Sequence, residues 1–432
     1  MFIATRLGAM LRLRIFNQTL HCSLALCVLT LTGIQVSVAH AEPLSFSVTL
    51  AIAERESPDL AAQNADIDAA RSASVAAGRW PDPKLLVGIE NLPASGVDQW
   101  SLNRDFMTMQ KVGVMQEIPN GSKRRAEAEV ATAAIDRAEA EWRVKVIGVR
   151  RAAALAWLDR YYLERRGALF DELDRENQLF AESVQAQLAG SKGMLADTVV
   201  PKQEAAELAD RRDELSASIA KAKSALRRYV GAIGDDPLAG DAPLLAIDAE
   251  QLRTQIHKHP ELAVFAPLLA MAQGEVHEAE AMKKPDWGIE LAYAKRGSQF
   301  SDMVSMQVTV GLPLFTGNRQ NPQIAAKRQT VNKVNAERDA MLRDHTQELE
   351  ADLADYDTLT RQLARMQTTR LPLAQQKVDL QFASYRAGKG DLNAVLTARR
   401  ELIAERLKQL DLDSQRVAAA ARLYFAYGEG SR

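Results

Sequence analysis

The chain has 432 residues, 47% of them apolar but only 6% aromatic, with two cysteines. This is ample apolar content for folded structure, and scarce rings with abundant alanine favour close helix packing over one large globular core. With 54 basic against 56 acidic residues the formal charge is −2, which gives no electrostatic case for nucleic-acid binding.

The first 41 residues differ from the rest. Arg6, Arg12 and Arg14 form a basic start, "LALCVLTLTGIQV" an apolar centre and "AHA" (39–41) a small-residue cleavage site, which together predict a secretory leader removed after Ala41. The other reading, a permanent membrane anchor, is opposed by polar flanks that shorten the apolar run. Removal takes three arginines and no acids, leaving 51 basic and 56 acidic residues. Both cysteines, Cys22 and Cys27, fall within the leader, so an exported mature chain would be held by packing without disulfides. His21 and Leu26, the residues before them, do not suit lipid attachment.

After the leader the chain repeats one plan. "ESPDLAAQNADIDAA" (56–70) answers "KHPELAVFAPLLAMA" (258–272), and "WPDPKLLVGIE" (80–90) answers "KPDWGIELAYA" (284–294). "VGVMQEIPNGSKR" (112–124) answers "VTVGLPLFTGNRQ" (308–320), Gly190 answers Gly388, and "RRYVG" (227–231) answers "YFAYG" (424–428). The nearly constant offset indicates an internal duplication. The first repeat covers 42–231 and the second 247–432, with a Gly-, Pro- and Asp-rich linker at 232–246.

In each repeat a helix of roughly 25 residues comes first and ends before Pro81 or Pro285. Two extended segments follow, near 84–91 and 111–118, then near 287–294 and 303–314. Alternation is clearest in the later pair, where Trp287, Ile289, Leu291 and Tyr293 share one face, as do Val304, Met306, Val308 and Val310. After Gly121 or Gly317 no strong breaker intervenes before Gly190 or Gly388, apart from Gly148, Gly167 and Pro372. Each of these runs predicts a helix on the order of 100 Å long. Leu396, Ile403, Leu410, Val417 and Tyr424 recur every seven residues on the return helix, as do Leu208, Leu215, Ala222 and Tyr229 in the first repeat. A sustained seven-residue period is the mark of a supercoiled helix seam. The glycine interruptions are then tips of antiparallel hairpins, near 189–197 and 386–394.

No eighteen-residue apolar run follows the leader, but the alternating strands are flanked by Trp80, Trp100, Phe106, Trp287, Tyr293, Phe300 and Phe315, as strands crossing a bilayer would be. Four strands cannot close a barrel, and an open edge in lipid leaves backbone groups unpaired. If the strands are in membrane, three chains would supply a twelve-stranded barrel. The other reading is a small soluble sheet packed on helices.

The duplicated order, "QEIPNGSKR" after the second strand and "YRAGKGDLNAVLTARREL" (385–402) are similar to the TolC family of outer-membrane efflux ducts, across essentially all of 42–430. The resemblance implies a mainly α fold with a membrane β-barrel: a homotrimer with twelve strands in the outer membrane and a long periplasmic coiled-coil α-barrel. It implies a passive duct, not an enzyme, with no cofactor and no resident metal. Its partners would be outer-membrane lipid, a periplasmic adaptor (membrane fusion protein) and an inner-membrane pump of the resistance-nodulation-division type. The docking tip would comprise Gly190, Gly193, Arg386, Gly388, Lys389 and Gly390. "HPELAVF", "MTMQKVGVMQEIPNG" and "LPLFTGNR" resemble most the branch serving heavy-metal cation pumps of the cobalt–zinc–cadmium and copper–silver type. A duct for drugs or other organic compounds stays open as the alternative, as do a periplasmic coiled-coil adaptor and an exported enzyme.

One departure concerns the pore entrance. Best-known members carry two acids just past the tip, and the matching positions here are Ala394 and Thr397. The nearest acids are Asp391 and, by the first tip, Asp197, which are the candidates for a pore-entrance ring. Other chemistry is not supported. "AGKGDLN" has neither the spacing nor the preceding strand of a phosphate loop. His257 and His259 lie two apart on different helix faces, a poor metal pair, and "MTM" (107–109) reads as strand and loop methionines.

Overall fold

The structure, a computed structural model, describes residues 43–191 and 194–428; the expected leader (1–41) and Gly193 lie outside the described residues. A two-residue strand, β1 (Leu44–Ser45), leads into α1 (Phe46–Glu56) and α2 (Pro58–Ala76). The single helix expected here is broken at Ser57, whose hydroxyl accepts the Leu60 amide at 3.4 Å while Pro58 opens the next helix. Strands β2 (Lys84–Glu90) and β3 (Met109–Ile118) precede α3 (Gly121–Ala189), one uninterrupted helix of 69 residues, or about 100 Å. A short 3₁₀ turn, Leu195–Val199, starts the return helix α4 (Val200–Val230).

The linker is more ordered than its composition suggests. Within it β4 (Leu238–Ala239) pairs in parallel with β1, Leu44 against Leu238. The second repeat then opens with α5 (Ala249–Gln255), α6 (Pro260–Ala263) and α7 (Phe265–Ala281), followed by β5 (Trp287–Lys295) and β6 (Met303–Val310). The last strand ends four residues short of the expected 314. The Gly311 amide leaves the ladder to donate to the Asp286 carbonyl at 2.8 Å, and Pro313 has no amide to offer.

The outgoing helix of the second repeat is α8 (Gln320–Arg365), joined to α9 (Leu371–Arg386) through a π turn at Met366–Arg370. Pro372 lies just beyond that turn. Its missing N–H and its ring are incompatible with a regular i→i+4 ladder, and the widened turn absorbs both. Met366 in the turn is fully buried with Leu363 and Leu412. The return helix α10 (Leu392–Leu423) ends in a second π turn, Tyr424–Gly428.

The largest core lies around Trp157 on α3, fully buried with Leu44, Leu50, Ala53, Leu226, Val417 and Phe425. The indole Nε1 donates to the Leu44 carbonyl at 3.0 Å, Phe46 meets its ring edge-on and Tyr161 stacks on it at 5.1 Å. Arg160 beside it is buried, donating to the Gly234 carbonyl at 2.8 Å and pairing with Glu164 at 2.7 Å. From this core the helices pack along a seam toward the tips. Leu208, Leu215 and Ile403 of the seven-residue rows are buried with Phe170 and Leu173 of α3. Tyr162 on α3 donates to the Asp413 carboxylate on α10 at 2.9 Å, and Arg166 pairs with Asp411 one turn on. The two helical hairpins therefore share one seam.

Candidate functional site

Two regions carry the features that sequence reading marks out: the four-stranded sheet and the hairpin tips. The sheet runs β2-β3-β5-β6, antiparallel throughout, with β2 and β6 as its edges. Register places apolar side chains in rows across all four strands. One row is Leu85, Val114, Leu291 and Met306; the next is Val87, Val112, Tyr293 and Val304. All eight are exposed, between 48% for Tyr293 and 73% for Val87. The opposite face is smaller and more polar, with Gly113, Ala292 and Ser305 beside Leu86 in one row and Lys84, Met115, Glu290 and Gln307 in the next. There Lys111 reaches Glu290 at 2.7 Å and Glu90 at 3.0 Å. An apolar face turned to the surroundings and a polar face behind it is the pattern of strands in lipid. Among the described residues no helix is long and apolar enough to cross a membrane.

Of the flanking aromatics, Trp80, Trp100, Phe106, Trp287, Tyr293 and Phe315 are exposed and Phe300 is half-buried. Where strand passes into helix, Asn120 of the "QEIPNGSKR" stretch caps α3 by accepting the Lys123 amide at 2.9 Å. Its own backbone and side-chain N–H groups both donate to the Asp286 carboxylate, at 2.7 and 2.9 Å. The Pro-Asp that opens β5 is thus tied to the end of β3, fixing the sheet against the long helix.

At the other end, α3 stops at Ala189, with Gly190 donating to the Ala186 carbonyl at 3.1 Å. Left-handed backbone falls on the next residue, Ser191, with φ 58°. At the second tip the two glycines serve different needs. Gly388 has φ 71°, which favours a residue without Cβ, whereas a Cβ on Gly390 would lie 2.9 Å from the Tyr385 amide nitrogen. Arg386 and Lys389 are exposed, the guanidinium over the Phe382 ring at 5.8 Å.

The two candidate gate acids have local roles in this arrangement. The exposed Asp391 is the N-cap of α10, accepting the Asn393 amide at 3.2 Å, and half-buried Asp197 accepts the Met194 amide at 2.9 Å. Both nonetheless bear on one group. The Tyr385 hydroxyl is buried without a hydrogen-bond partner among the described residues, and burial, then Asp197, then Asp391 push its pKa up. Tyr385 packs with Phe180 and Val184 of α3 and with Leu392, Val395 and Leu396 of α10, so one cluster joins both tips. Sequence reading missed Met194 and Leu195, 75% and 77% exposed at the first tip. Their signal was two adjacent apolar residues directly after a glycine turn.

Of the four histidines after residue 41, His257 is exposed and His277 makes an exposed pair with Glu129 at 2.9 Å. His259 does not pair with His257. It is buried against His345 of α8, ring centroids 3.9 Å apart. Met107 is exposed in the loop before β3, and Met109 begins that strand.

Comparison with known proteins gives a consistent result. No curated protein matches the sequence. A crystal structure of a membrane protein from Pseudomonas aeruginosa has a TM-score of 0.76 at 18% identity, covering 89% of this chain and 90% of that one. CusC, solved in a study of folding and transmembrane channel formation, has 0.75 at 17%, covering 89% and 92%. The outer membrane protein VceC from Vibrio cholerae has 0.73 at 18%, covering 89% and 96%. These likenesses establish the fold. The family model described as outer membrane efflux protein matches residues 253–429. Most of the second repeat therefore matches the outer membrane efflux protein family model, on a fold shared with solved outer-membrane proteins.

Proposed function

We propose that the chain is the outer-membrane duct of a tripartite efflux system, a homotrimer that passively conducts heavy-metal cations received from an inner-membrane pump and a periplasmic adaptor. The observation that carries this reading is the sheet: an exposed apolar face on four strands whose outer edges, Lys84–Glu90 and Met303–Val310, pair with no further strand among the described residues. In lipid each unpaired backbone group costs several kcal/mol, and two further copies would remove both edges by closing twelve strands. The hairpins that extend from the sheet end in exposed polar and apolar residues suited to a partner, among them Lys389, Arg386 and Leu195. The tips supply the docking surface, and Asp391 with Asp197 supplies the charge at the pore entrance. The choice of heavy-metal cations over organic compounds is supported by the resemblance of "HPELAVF" and "MTMQKVGVMQEIPNG" to that branch.

The test is twofold. Purified protein should run as a trimer by light scattering corrected for bound detergent, from outer-membrane fractions. A deletion strain should lose resistance to zinc, cobalt, cadmium, copper or silver salts and regain it with the gene. A monodisperse monomer would end the barrel reading, and sensitivity to organic compounds alone would move the substrate to the alternative class.

A further inference from the structure

The histidine pair buried beneath the start of the second repeat has a geometry that capping alone does not explain. His259 and His345 are 8% and 7% exposed, and Glu261 approaches them from the first turn of α6. The Glu261 carboxylate lies 3.2 Å from His345 Nε2, and one ligand atom from each of the three residues falls within 4.8 Å of the others. In a tetrahedral zinc site, bonds near 2.0–2.1 Å place ligand atoms roughly 3.3 Å apart, so side-chain adjustment of an ångström or so suffices. Despite burial, neither ring nitrogen of His345 has a hydrogen-bond partner among the described residues; the Glu261 contact is close but misdirected for one. Buried imidazole nitrogens without partners are uncommon.

His259 does have a local role, because its Nδ1 accepts the Glu261 amide at 3.3 Å and so caps α6. The first repeat achieves the same cap with Ser57. His345 likewise has no counterpart, since the 196–198 offset between the long helices brings it to Ile147, Gly148 and Val149. Two histidines replacing a serine and an apolar stretch, and meeting across two elements, are more than a cap needs. The long amide bond to Nδ1 is what a coordinate bond would displace.

Access and charge also suit a cation. A cavity of about 220 Å³, lined in part by Arg151, His259 and Glu261, opens beside the cluster with room for a water as fourth ligand. Glu348, Asp352 and Glu261 lie around the neighbouring Tyr427 with Arg151, and Glu141 and Lys145 also line the cavity, so the carboxylates outnumber the cations.

We propose that His259, Glu261 and His345 bind one divalent cation of the zinc class per chain, and that the ion pins the first turn of the second repeat to its long outgoing helix. Two imidazoles and one carboxylate select zinc, cobalt, nickel or copper over magnesium or calcium. Such an ion would be resident, distinct from any cargo, and the inference stands whether or not the chain is a duct.

The experiment uses full-length protein in detergent, free of affinity tag and stripped with EDTA, titrated with cobalt chloride and then with zinc chloride. The expected result is a visible cobalt spectrum of a low-coordinate nitrogen–oxygen site saturating at one ion per chain, bleached by zinc and unaffected by excess magnesium or calcium. Zinc should raise the melting temperature. His259→Ser, which restores the first-repeat cap, and His345→Gln should each weaken zinc binding by about 100-fold or more, and His257→Ala with His277→Ala should leave it unchanged. Glu261→Gln, the mildest variant, should weaken it by about tenfold and secures the comparison if a histidine variant fails to fold. The proposal is overturned if the wild-type protein gives no such spectrum, or if zinc affinity persists in His259→Ser or His345→Gln.

Discussion

Tyr385 and Gly390 face each other across the second tip so closely that any side chain at 390 would press on the Tyr385 backbone, 2.9 Å from its nitrogen. Gly388, two residues earlier, is needed for its left-handed φ of 71°. Valine at both positions should cost roughly 1–3 kcal/mol of local strain at 388 alone, and clash at 390 besides. For the trimeric duct proposed above, the expected outcome is loss of efflux resistance while trimers still reach the outer membrane, because the turn lies at the far end of the helices from the sheet. Resistance assays with membrane fractionation check both halves. Normal resistance would show that this turn is not the docking tip.

Asp391 combines a cap with a charge, and substitution separates them. Asparagine retains an oxygen to accept the Asn393 amide, and alanine does not. Asp391→Asn should leave thermal stability unchanged but relieve block of reconstituted channels by divalent or trivalent cations, since in the proposed trimer three copies around the axis would concentrate negative potential. Asp391→Ala should relieve the block equally and lower the melting temperature. Equal cation sensitivity in wild type and Asp391→Asn would leave the residue only its cap.

What sequence reading reached and what it missed have physical causes. The strands were legible because one face is apolar and the other polar, so Trp287, Ile289, Leu291 and Tyr293 announce a period of two. The tips were legible because Gly388 marks a break in an otherwise unbroken helical pattern. The caps could have been read as well: Asp391 before "LNAVL" is an N-cap signal. The pairing of Leu44–Ser45 with Leu238–Ala239 was hidden because two-residue strands carry no periodicity. His259 and His345 were hidden for another reason. Their meeting depends on where α6 lies against α8, and the local spacing pointed only to His257.

Glu204 should make stability fall as pH rises. It is 4% exposed, its Oε2 has no hydrogen-bond partner among the described residues, and burial raises its pKa against the opposing pull of Arg399 and Arg400. The folded state therefore holds the proton more tightly than the unfolded chain. Its contribution is fully present below the unfolded carboxyl pKa and is lost as pH climbs through the folded one. Glu204→Gln should raise the melting temperature at pH 7.5 and leave it near the wild-type value at pH 4. Thermal unfolding at the two pH values reads this directly, and a gain of equal size at both would assign the effect to packing.

Trp157 provides a stability benchmark. Trp157→Ala should destabilise by about 3–5 kcal/mol through the cavity it opens. Trp157→Phe keeps a ring but strands the Leu44 carbonyl, for about 1–3 kcal/mol. Melting temperatures in one detergent should rank wild type above Trp157→Phe above Trp157→Ala. If the two variants melt alike, the hydrogen bond outweighs the volume.

The parallel pairing of β1 with β4 also sets a timetable. A chain that is made or delivered from its amino end presents Leu44 early, but its partner, Leu238, follows only after the entire first hairpin. Val417 and Phe425, which complete the same core, come almost last. The first strand must therefore wait, solvated and unpaired, through most of the chain's emergence. A protein that binds extended segments during that interval would govern the yield of this chain more than its final stability does.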